Sequence, residues 1–526
     1  MYLHLKLIAY YSKKNITLFL HFLGRYFIRD LGLRHTTSQG IDCYMNKSET
    51  TAVGSKLTEL WCEVFSRPSP VNIHKLWDEH CRINSDLKML KLANCNLPEP
   101  KNRLGQLTSF LEWCKKMQIQ HSALEILSSP HGLCLTSKEP LECGIIAAKV
   151  PLSATFSTDI AFAANVDSLK KILVEDELIQ SMENVALAMS VAHEVLRGSE
   201  SEWAPYFNML PSTFFTPIFY TEEQFQALKP SPVFEESLRM FRAVARQFVY
   251  FYLRILGDNG KKSRKCLSDT SRIFAGSPFT AHNFTFDFYR WCVSAVSTRI
   301  NMVPSRCRKN IEDDSPKLIP ALIPFIDMAN HAHSLENSGS LYFEYEMNSI
   351  NIQLNKCVEV GQELCIHYGP RNNSKFLLHN GFVPQFPNPD DFFELKIGLP
   401  RSTSDFEIKL QHLTTISILP INNQSHQNIV YTFQLKMNPS VGSIKQSALW
   451  TFAKIFVADD NLVNFETGEN DQRAKKFITD RFKLLIHGYK TKQQSLSECL
   501  TNDIQRLKDA EIALLRCHLE CFEKLC

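Results

Sequence analysis

The chain has 16 cysteines among its 526 residues, yet no two of them form a C-x-x-C pair. That absence removes most zinc readings. Thiols scattered from Cys43 to Cys526 fit a reduced, intracellular protein without bridges. Charge of one sign is also missing. The net value of +3 implies no general attraction to nucleic acid. No G-x-G-x-x-G or P-loop pattern offers a nucleotide site. Long apolar runs are absent too. In MYLHLKLIAYYSKKNITLFLHFLGRYFIRDLGLR, Lys13 and Lys14 split the hydrophobic stretch below the roughly 20 residues that a membrane span needs. No small-residue cleavage site follows it, and it is short of serine for an organellar presequence. Residues 1–54 are expected to be a poorly ordered extension ahead of the folded domain, whose own start could be Met45.

What is present is ordinary globular composition, 44% hydrophobic and 21% charged, in a chain long enough for several domains. A short helix at QLTSFLEWCKKM precedes brief strands at Ala123–Ile126, Gly132–Thr136 and Gly144–Lys149. From 180 to 256 the apolar spacing becomes helical, with a stop at Gly198 and a capping box at Thr221 to Gln224. LRMFRAVARQFVYFYLRIL is apolar nearly all round and is expected to be a buried helix. FDFYRWCVSAVSTR follows, stacking Phe288, Cys292, Ala295 and Arg299 on one face. After a loop at SRCRKNIEDDSPK, strands return at LIPFID, LYFEYEM, SINIQL, KCVEV and ELCIHYG. The remainder reads as mixed, then helical, ending in a stripe of Ile504, Leu507, Leu514, Leu515, Leu519 and Phe522.

Two segments carry chemistry. LIPFIDMANHAHS places Asp, Asn and two His directly after an apolar run, and ELCIHYGPRNNS ends a strand on Tyr-Gly. Polar residues at the end of a buried strand mark a site. With SEWAPYFNMLPSTFFTPIFYTEEQ, FTFDFYRWCVSAVSTRINMVP and HYGPRNNSKFLLHNGF, the chain resembles SET-domain methyltransferases of the Rubisco-methyltransferase-like class. Within that class it looks most like the actin-histidine N-methyltransferases. The likeness runs from about Leu57 to about residue 520.

The resemblance implies S-adenosyl-L-methionine as methyl donor and a protein substrate, actin. It places Asn330 and His331 at the cofactor, where the chain makes a knot-like crossing, with Asp327, Met328 and Ala329 leading in. Arg299 matches the arginine near the cofactor carboxylate, a group suited to a bidentate guanidinium grip. Asn380, Gly381 and Phe382 match the segment closing over the cofactor, and Ser129, Pro130 and His131 the loop beside the adenine. Tyr368 matches the catalytic tyrosine that orients the target nitrogen. Asn301, Ile326 and Arg371 match positions of the target pocket. Ile326 departs from the family, which carries Trp there in its histidine enzymes; aliphatic residues occur there in lysine-modifying relatives.

Blander readings stand beside these. Arg299 would ordinarily pair with a helix dipole. Asn301 could cap a helix, Arg371 could be a solvated charge, and His131 a turn residue. Cys517, His518 and Cys521 mimic a zinc motif but read as packing, and no metal is expected. The fold class expected is α+β: a SET-domain β core with an inserted helical subdomain and a C-terminal all-helical substrate-binding domain. The boundaries are 1–54, 55–165, 166–284, 285–385 and 386–526. The function expected is protein-histidine N-methylation. Lysine methylation of a non-histone protein and a catalytically weak binding scaffold are the alternatives. A cytoplasmic location, extending to the nucleus, no nucleic-acid partner and no stable membrane insertion complete the expectations.

Overall fold

A computed structural model of the chain describes residues 52–89, 103–130, 132–163, 166–259, 272–310, 315–333, 338–385, 387–403, 405–420, 428–458, 466–489 and 498–525. The extension expected over residues 1–54 lies outside these up to residue 51, as does His131, while residues 52–54 open the helix Ala52–Leu60 instead of belonging to an extension. The chain divides into two compact units, one formed by residues up to Phe219 with Leu238–Gly369, the other by Tyr220–Ser237 with Pro370–Cys526.

The first unit holds three small antiparallel sheets. Strands β1 (Leu124–Ser129) and β2 (Gly132–Ser137) form a hairpin closed at the Ser129–Gly132 pair, with β9 (Glu363–Leu364) added on β2. A second sheet runs β3 (Ile146–Pro151), β8 (Ser349–Leu354), β7 (Gly339–Glu344). The third runs β4 (Phe156–Ser157), β6 (Pro316–Leu322), β5 (Asn301–Lys309). Helices carry the rest of this unit. Glu183–Leu196 ends at Gly198, whose φ of +56° suits glycine. The expected apolar helix lies within Val233–Asn259, burying Phe241, Val244, Phe248, Phe251 and Ile255.

Helix Phe286–Ser297 positions the site. The Thr285 hydroxyl accepts from the Phe288 amide at 3.1 Å and starts the helix, and Phe288, Trp291, Cys292 and Ala295 are fully buried. It stops at Ser297, so Arg299 sits in the turn beyond the helix and not on its face. Asn301 then opens β5.

Three strand expectations shift, the first at KCVEV, which forms no strand and only an isolated bridge between Val358 and Leu141. Ser305–Lys309, read as loop, continues β5, which pairs with β6 again at Lys309–Pro316 after a register shift beyond Pro304. LIPFID is not a strand. The strand ends at Leu322, and Ile326–Met328 is a tight 3-10 turn. Pro324 cannot donate to a ladder, and Phe325 adopts φ +70°, which costs about 1 to 3 kcal/mol for a non-glycine residue.

In the second unit the capping box is present, with Thr221 and Gln224 bonded reciprocally. This segment, expected in the helical insert, belongs with the C-terminal unit. The all-helical expectation there needs correction: β10 (Phe392–Pro400) and β11 (Asn428–Lys436) form a nine-pair antiparallel ribbon. Their period-two patterns, Phe393, Leu395, Ile397, Leu399 against Ile429, Tyr431, Phe433, Leu435, turn one face onto a core with Phe452, Phe482 and Phe522. The final helix, Glu498–Glu523, buries Ile504, Leu507, Leu514, Leu515 and Phe522. His518 Nε2 bonds the Lys436 carbonyl at 2.8 Å, and the Cys521 thiol donates to that of Pro439 at 3.1 Å.

Candidate active site

The segment after the 3-10 turn runs extended beside the strand-end segment. The Ile366 amide donates to the Asn330 carbonyl at 2.9 Å, and the Ala332 amide to the Ile366 carbonyl at 3.0 Å. This parallel crossing brings His331 beside Tyr368. Their ring centroids are 5.2 Å apart, and His331 Nδ1 accepts from the Tyr368 amide at 3.3 Å. The Tyr368 hydroxyl donates to the Ala329 carbonyl at 2.8 Å. With its proton committed there, the phenolic oxygen keeps its lone pairs for an incoming group. Asn330 is anchored at its side-chain end as well, its Nδ2 donating to Glu363 Oε1 at 2.7 Å.

Behind this segment lies a buried charge cluster. Arg299 Nε is 3.9 Å from Asp327 Oδ2, and the Tyr206 hydroxyl donates to the same oxygen. The Arg299 guanidinium also lies 5.7 Å from the centre of the Phe214 ring. Arg103 is the third charged member. Its Nε donates to the Met209 carbonyl at 2.7 Å, and its Nη2 reaches Met328 Sδ at 4.0 Å. Burial, with Arg299 next, draws the Arg103 guanidinium down to about 10. Burial raises the Asp327 carboxyl to about 6 against the pull of Arg299 and Tyr206. Two guanidiniums thus face one carboxylate, a surplus of positive charge in a desolvated place. Arg299 Nε and Asp327 Oδ1 are buried without a hydrogen-bond partner.

Buried unpaired donors and acceptors are rare and call for an explanation. A zwitterionic amino-acid end supplies one: its carboxylate answers the excess guanidinium, its ammonium the unmatched acceptors. The donor set therefore fits the amino-acid end of S-adenosylmethionine, whose carboxylate Arg299 and Arg103 would hold.

Asn301, matched by the resemblance to the target pocket, opens β5. Its Nδ2 donates to the Arg299 carbonyl at 3.1 Å, closing the turn after the helix. Ile326 is fully buried, and Phe325 stacks on the His121 ring at 4.2 Å and 26°. Ser129 closes the β1–β2 hairpin with Pro130 exposed in its loop.

Arg371, Asn380, Gly381 and Phe382 lie in the second unit. There Arg371 Nη1 donates to Asn380 Oδ1 at 2.7 Å, Gly381 caps a helical turn at φ +82°, and Phe382 packs on Phe376 at 5.4 Å. Arg371 is thus a bonded side chain and not a loose surface charge.

Three site residues escaped sequence reasoning. Arg103 stands alone in KNRLGQ with no motif around it. Tyr206 sits inside the quoted SEWAPYFNML block, but its bond spans 121 positions. Glu363 opens the ELCIHYG strand and reads there as an ordinary exposed charge.

No protein-family model matches the chain. It is similar to curated proteins named actin-histidine N-methyltransferase. That of Drosophila melanogaster is 26% identical over 486 residues, 88% of this chain and 85% of the relative. That of Xenopus tropicalis is 25% identical over 464 residues, 85% of this chain and 74% of the relative. Among solved structures, the SET domain of LSMT bound to lysine and AdoHcy matches with a TM-score of 0.60 at 16% identity, covering 81% of this chain and 92% of that one. Rubisco LSMT bound to AdoMet matches with a TM-score of 0.59, also at 16% identity, covering 80% and 92%. The α+β fold is therefore the SET fold of LSMT, and the chain is similar over most of its length to actin-histidine N-methyltransferases.

Proposed function

We propose that the protein transfers a methyl group from S-adenosylmethionine to a histidine ring of actin. The observation that carries this reading is the likeness to actin-histidine enzymes over 88% of the chain. S-adenosylmethionine supplies an electrophilic methyl on a sulfonium, so the protein's task is to hold a nitrogen lone pair in line with it. Orientation of this kind contributes roughly 7 to 11 kcal/mol to such displacements.

The chain's own groups suit an imidazole. Only one ring nitrogen attacks, so the other carries the proton and needs an acceptor. Asn301 Oδ1 is that acceptor, because its amide nitrogen is committed to Arg299. The Tyr368 oxygen, its proton given to Ala329, lines the approach of the target. No strong base is required: histidine, with an ordinary pKa near 6.5, is mostly neutral at pH 7. Lysine would first lose a proton at a cost of about 4 to 5 kcal/mol.

One observation favours lysine as the second reading. Ile326 offers an aliphatic wall, and Phe325, the nearest aromatic in sequence, is fully buried against His121. We further propose a cytoplasmic location, also nuclear, in keeping with free cysteines such as Cys143, Cys307 and Cys357 at the surface. The test is incubation with labelled S-adenosylmethionine and actin, followed by mass-spectrometric mapping. Label on a histidine of actin is expected; label confined to lysine, or none on actin, overturns the assignment.

A further inference from the structure

We propose that Glu363 is a positioning residue that fixes which end of the Asn330 side chain faces the cofactor. The inference rests on the reading of this site as an S-adenosylmethionine site. An asparagine amide is nearly symmetric in shape but opposite in function, with two donors at one end and an acceptor at the other. Left alone, it can present either. A carboxylate offers only acceptors, so Glu363 Oε1, 2.7 Å from Asn330 Nδ2, selects the orientation in which the NH2 group points to the strand. Oδ1 is then the end left to meet a ligand. An ammonium has three donors and no acceptor, so only that orientation suits the amino group of the methyl donor. The reversed amide would set donor against donor.

Glu363 is itself held in place. It opens β9 opposite Thr136 of β2, and the next ladder pair is Leu135 with Leu364. Burial, with the Glu363 carboxylate next, raises the Cys365 thiol to about 12, so it stays protonated beside that carboxylate. The backbone of Asn330 is fixed separately through its carbonyl and the Ile366 amide at 2.9 Å. Glu363 therefore acts on the side-chain amide and not on the path of the chain.

The test compares calorimetric binding of two probes, S-adenosylhomocysteine and its desamino analogue, which keeps adenosine and carboxylate but lacks the ammonium. Glu363→Ala is expected to weaken S-adenosylhomocysteine roughly tenfold and leave the desamino analogue little changed, in line with losing a charge-assisted hydrogen bond. Glu363→Gln keeps an acceptor, and should hold affinity for both probes within about threefold of the parent, well short of the full bond. Glu363→Lys places a donor against Asn330, reverses the amide, and should bind the desamino analogue at least as well as S-adenosylhomocysteine. Should the alanine variant not fold, the lysine and glutamine variants decide the matter. Equal weakening of both probes in the folded variants, or no change in either, overturns the positioning role. Failure of the unaltered protein to bind S-adenosylhomocysteine would instead overturn the cofactor reading itself.

Discussion

Two buried charge clusters, one in each unit, are built in opposite ways. In the first, Arg103, Arg299 and Asp327 leave a surplus cation, with Arg299 Nε and Asp327 Oδ1 unpaired. In the second, Glu511 is just as buried, yet its oxygens accept from Ser231 at 2.8 Å, Ser374 at 3.3 Å and Tyr489 at 2.8 Å. Asp391 likewise accepts from the Asn373 amide at 2.9 Å and its side chain at 2.8 Å, and Lys375 pairs with Glu236 at 2.8 Å. A satisfied network serves the architecture of its own unit; an unsatisfied one waits for a ligand. Burial alone does not separate the two.

The comparison can be tested by substitution, with the largest effect expected at Tyr368. Tyr368→Phe removes the hydroxyl bonded to Ala329 and should lower kcat roughly 100-fold or more while S-adenosylhomocysteine still binds. Single-turnover methyl transfer with calorimetry checks both halves; unchanged turnover removes Tyr368 from catalysis. Arg299→Gln takes away the surplus cation and should weaken S-adenosylhomocysteine about 10- to 100-fold, since a hydrogen bond to a charged group contributes about 1.5 to 3 kcal/mol. Its thermal midpoint should not fall, because Arg299 leaves a donor unpaired in the free protein.

Asn301→Ala removes the imidazole acceptor and should cut histidine methylation about tenfold, the effect of one hydrogen bond, while lysine methylation changes less. The product ratio, read by mass spectrometry, checks it. A constant ratio would detach Asn301 from target choice.

In the second unit Glu511→Gln should spare turnover and alter only stability. Burial raises the Glu511 carboxyl to about 7 from an ordinary 4.5. Between those values the folded state holds a proton that the unfolded state has lost, so stability falls as pH rises and levels off above 7. The glutamine variant should lose that slope. Relative to pH 4, it should gain on the order of 3 kcal/mol over the parent at pH 8. Denaturant melts at the two pH values decide this; a lost methyl transfer with an unaltered slope would break the contrast between the units.

Much of this was legible in the sequence because the signals were local. The β1–β2 hairpin, the Thr221 capping box and the buried helix after Ser237 follow from patterns within a few residues, whereas the crossing of Asn330 with the Tyr368 segment was implied by the family resemblance alone. The misses have a common cause. The Tyr206–Asp327 bond spans 121 positions and Arg103 lies 225 from Met328, distances over which no periodicity carries information. The end of β6 at Leu322 follows from Pro324 and the left-handed Phe325, a backbone choice that outweighed an apolar run. The β10–β11 ribbon was readable as an alternation, but helical segments on either side drew the reading away.

The most direct measurement is a crystal structure of the protein with S-adenosylhomocysteine. The account predicts the ligand carboxylate on Arg299 and Arg103, and its ammonium on Asn330 Oδ1, leaving no buried guanidinium donor unmatched. A ligand whose amino-acid end lies away from these three side chains, with Arg299 Nε still unpaired, would contradict it.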